Sequence, residues 1–152
     1  MINVKSQTIA KQNGIDVEQF ICKLFNLKYE DKEYDAIDNE GNEYEIKSCQ
    51  QIIIHKKRKE NGNFHFKPTD FNKKENRNFI LVVNSESNYT IAQVNSKKFW
   101  SFFINTEKIN HKKVMTRLLL EGIKLETIKK KELNLNLKLI LEGKNLKTVN
   151  KK

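Results

Sequence analysis

The stretch Tyr34-Asp35-Ala36-Ile37-Asp38-Asn39-Glu40-Gly41-Asn42-Glu43-Tyr44-Glu45-Ile46-Lys47-Ser48 reads as a strand, a turn and a second strand. Tyr34–Asp38 and Glu43–Cys49 alternate as strands do, and the Asn and Gly between them supply the conformations a chain reversal needs. Glu45 and Lys47 are two residues apart in a strand, so both side chains leave the same face. Asp35 lies on the partner strand. A turn with an odd number of unpaired residues brings Asp35 to that face too; Glu40-Gly41-Asn42 as a three-residue loop would set it near Lys47. An even turn points it the other way, and the spacing leaves both registers open.

Upstream, Val17, Phe20, Ile21, Leu24 and Phe25 recur at the spacing of a helix with one buried face. Asp16 is its expected cap and Asn26 its expected stop. Residues 1–13 read as a polar N-terminal arm. Downstream, Ile52-Ile53-Ile54 continues or follows the hairpin, and 55–67 is the most basic stretch. Pro68 opens a short segment expected to be helical to about Glu75. Phe79-Ile80-Leu81-Val82-Val83 is a β-prone apolar run, hence a central strand covered on both faces, and Tyr89–Val94 pairs with it as a hairpin. Ser96 is the expected cap of a helix carrying Phe99, Trp100 and Phe103 into the core. A helix over Val114–Glu121 is expected to stop at Gly122. The alternation of Leu133, Leu135, Leu137, Leu139 and Leu141 predicts a final strand with one wet face, before a basic, partly disordered tail over 144–152. These elements predict an α/β fold, a central mixed β-sheet flanked by helices, in a single domain spanning 1–152.

The 152 residues include 29 Lys and Arg against 19 Asp and Glu, a formal charge of +10. That surplus favours a polyanionic partner, nucleic acid above all. No stretch approaches the ~20 apolar residues of a membrane span. The N-terminus is too polar for a signal peptide, so a cytoplasmic setting with reduced thiols is expected. Cys22 and Cys49 have no Cys or His partner at zinc spacing. Cys22 is expected in the core, and Cys49 shares the face of Glu45 and Lys47.

Asp35, Glu45 and Lys47 form the pattern D-x9-E-x-K. Two carboxylates on adjacent strands make an all-oxygen site that suits Mg2+, with the Ile46 backbone carbonyl as a further oxygen. Such an ion polarises a phosphate and lowers the pKa of a bound water. The Lys47 ammonium is placed to orient that water and to offset charge developing on the phosphate oxygens.

The segment from Tyr34 to Ser48 resembles the active-site hairpin of PvuII-like type II restriction endonucleases, in the PD-(D/E)xK nuclease superfamily. The likeness covers the spacing, the Asn and Gly of the turn, and the Tyr44-Glu45-Ile46-Lys47-Ser48 core. Tyr34 stands where the superfamily's proline would be. The resemblance implies a restriction-endonuclease-like sheet, with Asp35 and Glu45 as metal ligands and Lys47 as the catalytic lysine. It implies a homodimer that cuts double-stranded DNA at a short palindrome with Mg2+. Related enzymes read bases with histidines after the catalytic strand, and His65 is the nearest counterpart here.

Around this centre, Lys56, Lys57, Arg58, Lys59 and Lys67 are candidate DNA contacts. Glu18, on the first helix, is a candidate auxiliary acid. Asp38 reads as a turn residue rather than a ligand. Two alternatives stand beside the restriction reading: a structure-specific nuclease of the same superfamily, acting on Holliday junctions or in repair, and a non-catalytic basic DNA-binding protein.

Overall fold

The computed structural model describes residues 17–30, 32, 34–71 and 77–133. In chain order these form helix α1 over residues 17–24, then strands β1 (Lys28–Tyr29), β2 (Ala36–Ile37), β3 (Glu43–Gln50), β4 (Ile52–His55), β5 (Arg58–Asn61) and β6 (Asn63–His65). A 3-10 turn at Pro68–Phe71 precedes β7 (Asn78–Asn84), β8 (Asn88–Asn95) and helix α2 (Ser96–Phe102). Strand β9 (Lys108–Asn110), helix α3 (His111–Leu120), β10 (Leu125–Lys129) and a 3-10 turn at Lys130–Glu132 follow.

The central sheet is mixed and has six strands in the order β1-β2-β3-β7-β8-β10. Strands β3 and β7 run parallel; the other neighbours are antiparallel. All five residues of the apolar run Phe79–Val83 are buried, as a strand covered on both faces must be. Alternation divides them between two clusters. Ile80 and Val82 pack with Phe20, Ile21, Tyr44, Ile46 and Ile91 on the α1 side. Phe79, Leu81 and Val83 pack with Phe64, Phe66, Phe99, Trp100, Val114 and Leu118 on the side of α2 and α3. Each large side chain buried this way contributes about 1.5–3 kcal/mol.

Helix α1 ends as its sequence predicts. Asn26 takes a positive φ of 55°, and the Leu27 and Asn26 N–H groups donate to the carbonyls of Cys22 (2.7 Å) and Lys23 (3.4 Å). This pairing satisfies the last helical carbonyls. Other boundaries shift. The cap of α2 is Asn95 rather than Ser96: its Oδ1 accepts from the N–H groups of Lys97 and Lys98. Helix α3 begins at His111, capped by Asn110, rather than at Val114, and Gly122 follows its end at φ 83°.

The basic stretch is not a loop. β4 and β5 pair as a separate hairpin, and β6 pairs with β9. Strand β10 lies where the sequence shows no period-2 pattern, because it is an edge strand held by its ladder to β8. Of the expected helix after Pro68, the described part is a single 3-10 turn, and residues 72–76 lie outside the described residues. The expected N-terminal arm, the Asp16 cap, the strand beyond Leu133 and the basic tail also lie outside them. No described helix is long and apolar enough to cross a membrane.

Candidate active site

The register of the hairpin places the first acid. Ala36 pairs with Tyr44 and Ile37 with Glu43, which leaves residues 38–42 as the loop, an odd number. The loop is wider than Glu40-Gly41-Asn42 because Asp38 organises it. Its Oδ1 accepts from the N–H groups of Glu40 and Asn42, both at 2.9 Å. Its Oδ2 accepts from the Asn42 side-chain amide at 2.9 Å and the Tyr44 hydroxyl at 3.0 Å. Gly41 completes the reversal at φ 85°. Extending the register by one residue sets Asp35 opposite Glu45, not opposite Lys47 as the narrower loop would.

Asp35 leaves the ladder at this point, its N–H donating to the Tyr44 carbonyl at 3.0 Å. Its Oδ2 then accepts the Ile46 N–H at 2.8 Å, so the side chain takes a bond on β3 just beyond the end of β2. The Glu45 carboxyl is pushed up to about 8, first by burial, then by the Asp35 charge and a hydrogen bond with the Asp35 carboxyl; Lys47 opposes the rise and Asp70 adds to it. Burial and the neighbouring Asp35 charge thus favour the protonated form of Glu45, hydrogen-bonded to the Asp35 carboxyl.

Lys47 projects from the same face, one pleat further along β3. Its Nζ lies 2.8 Å from Oδ2 of Asp70, with the two side chains 13% and 4% exposed. The same Oδ2 accepts the Lys67 N–H at 2.6 Å. The ammonium also lies 5.8 Å from the centre of the Phe66 ring. Trp100 fixes the turn from behind, its Nε1–H donating to the Asp70 carbonyl at 2.8 Å. Asp70 is the residue that the sequence reading missed. An Asp two residues after a proline looks like an ordinary turn residue, and only the packing of the 3-10 turn under Trp100 carries it to Lys47.

The remaining candidates separate into groups. Ile46 meets the acids through its N–H, held by Asp35. Glu18 and Asp35 both act on the thiol of Cys22, which burial chiefly pushes up to about 12. Cys49 is likewise raised to about 12 by burial, so both thiols are poor nucleophiles. His65 stands in β6 rather than a loop; Phe64 and Phe66 on either side point into the core, and His65 is exposed. Lys56, Lys57, Arg58 and Lys59 are exposed on the β4–β5 hairpin, away from the acids in sequence and on a different sheet. Lys67 contributes its backbone N–H to Asp70. Phe99 and Trp100 are core, as expected.

The donor set fits one hard divalent cation. Asp35 and Glu45, opposite each other across the hairpin, are the two carboxylates that could offer oxygens to it. Among the described residues, no group of three or more His, Cys, Asp or Glu side chains is arranged to hold a metal ion. Asp70, the third acid nearby, is turned to Lys47 and Lys67. A two-carboxylate site suits Mg2+, which keeps several waters and completes its shell with substrate phosphate. No protein-family model matches this chain, and no curated protein matches it.

Proposed function

We propose that this protein is a Mg2+-dependent endonuclease that hydrolyses phosphodiester bonds in double-stranded DNA, a type II restriction enzyme with a restriction-endonuclease-like sheet. The observation that carries the reading is the hairpin register that sets Asp35 opposite Glu45, with Lys47 on the same face of β3. The formal charge of +10 supports a polyanionic substrate.

When bound, Mg2+ supplies Lewis-acid activation of the scissile phosphate and of a water. Glu45 would give up the proton that its burial favours, and Asp35 and Glu45 would present carboxylate oxygens. The Ile46 N–H holds Asp35 in place for that role. Lys47 carries an ammonium that orients water and offsets charge developing on the phosphate oxygens. Asp70, the Phe66 ring and the Lys67 N–H fix where that ammonium starts from. A palindrome is read by a two-fold symmetric protein, so one such site per chain implies a homodimer, one site for each strand.

Incubation with long unmethylated DNA and Mg2+, followed by sequencing of fragment ends, tests the reading. Discrete ends at one short palindrome are expected. Asp35→Asn or Glu45→Gln should abolish cleavage without unfolding the chain, and Lys47→Ala should slow it by ~10^2-fold or more. Near-normal cleavage by either acid variant would remove that residue from the site. Selective cutting of four-way junctions would instead make the protein a structure-specific nuclease. DNA that is bound but left intact by divalent metal would make it a non-catalytic binding protein.

A further inference from the structure

The β4–β5 hairpin is a two-stranded arm with an unusual surface. Ile52 pairs with Asn61 and Ile54 with Lys59, so these four residues share one face. Ile53 and Glu60 belong to the other. Ile52 is 49% exposed and Ile54 68% exposed. The arm reverses through Lys56 and Lys57, with Lys56 held at a positive φ of 53°. Lys56, Lys57, Arg58 and Lys59 are all exposed around that tip, and Glu60 lies 3.9 Å from Arg58.

Two wet isoleucines with Lys59 on their face and Lys56, Lys57 and Arg58 at the tip call for a partner that is anionic at its rim and apolar at its floor. The major groove of B-DNA has both properties: phosphates line its edges, and the 5-methyl group of each thymine projects from its floor. That groove admits a two-stranded β-ribbon. The deep, narrow major groove of duplex RNA does not admit side chains.

We propose that the β4–β5 arm enters the major groove and that Ile52 and Ile54 read thymine 5-methyl groups there. This rests on the DNA reading of the preceding section and deepens it. The arm follows β3 directly, so chain length bounds what it reads. Lys47 to Ile54 spans at most about 23 Å of extended strand at ~3.3 Å per residue. At about 3.4 Å per base pair, the thymine lies within roughly seven base pairs of the phosphate that Lys47 serves.

The test compares one long DNA amplified with thymidine and the same DNA amplified with deoxyuridine, which lacks only the methyl group. Binding of the full chain is measured in Ca2+, and cleavage in Mg2+. Wild type should bind uracil DNA at least about fourfold more weakly, the factor for one buried methyl lost. The Ile52→Asn/Ile54→Asn variant, which has no methyl group to offer, should bind both DNAs equally, at the uracil level. Ile52→Val/Ile54→Val keeps a β-branched apolar side chain and should keep the thymine preference, so the loss in the Asn variant follows the apolar contact. Equal binding of both DNAs by wild type overturns the proposal. So does a thymine preference that survives in the Asn variant; if that variant also changes a dimer to a monomer, the isoleucine face joins two copies instead. A thymine preference without cleavage in Mg2+ upholds the arm's role while refuting the nuclease reading. Failure to bind either DNA refutes both.

Discussion

Glu45 couples the candidate chemistry to stability. Its carboxyl, with an ordinary value near 4.5, is raised to about 8 by burial and by Asp35. The folded chain therefore keeps a proton that the unfolded chain has released between those values. Stability must fall as pH rises from about 4.5 to about 8. The loss is on the order of 5 kcal/mol, taking 1.36 kcal/mol per pKa unit between those two values. Glu45→Gln is neutral at every pH and can still bond to Asp35. In EDTA it should match wild type near pH 5 and exceed it near pH 9, read as urea midpoints. Mg2+ should raise the wild-type midpoint at pH 8 and leave that of Glu45→Gln little changed, because the cation replaces the proton. A variant less stable than wild type at pH 9 would sink the protonated Glu45.

At the scale of elements, the root of the arm is closed on itself and stitched to two others. The Gly62 N–H donates to the Gln51 carbonyl at 3.1 Å, and the Gly62 carbonyl accepts the His111 N–H at 3.1 Å. A ring nitrogen of His111 lies 3.0 Å from the Gln51 carbonyl oxygen, and the Gln51 N–H donates to Asn84 at the end of β7. These bonds hold the arm at the end of β3 and α3 against the arm. Gly62 is required by close approach: a Cβ there would lie 1.7 Å from the Gln50 carbonyl oxygen. Backbone cannot rotate away as a side chain can. Gly62→Ala should lower unfolding free energy by about 1–3 kcal/mol, the usual cost of overpacking, and should disturb the arm before the sheet. Urea unfolding gives the size, and hydrogen exchange at Ile52–Asn61 gives the place. A variant of wild-type stability with unchanged exchange would show that the contact relaxes freely.

For the molecule as a whole, charge is the dominant property. A formal charge of +10 favours a polyanionic partner. The four cations of the arm are the exposed concentration of that charge. Lysines and arginines there should contact phosphates, and each contact neutralised on binding gives a salt slope near −0.9. Lys57→Ala or Arg58→Ala should weaken binding to all duplexes alike, make the plot of log K against log salt shallower by about 0.9, and leave the cut position unchanged. A shifted cut site would make these residues base readers, and an unchanged slope would take them off the DNA.

Local periodicity was enough to read several parts of this protein. Glu45 and Lys47 share a face because strand side chains alternate, whatever the strand's neighbours. Phe79–Val83 declares a strand covered on both sides because an unbroken apolar run has no wet face to offer. Asn26 ends α1, and Asp38 belongs to the turn, because their short polar side chains serve the adjacent backbone. Register was beyond that reach. Asp35 meets Glu45 because four bonds to Asp38 widen the loop to residues 38–42, and a one-residue change would reverse the face. Asp70 was equally invisible: its partner Lys47 lies on another element, and Trp100, from α2, holds the turn that brings them together. The isoleucines 52–54 read as ordinary strand, and only the pairing of β4 with β5, outside the central sheet, left two of them in water. Period is a property of consecutive residues, whereas register and remote pairing are set by hydrogen bonds and packing between segments that the sequence keeps apart.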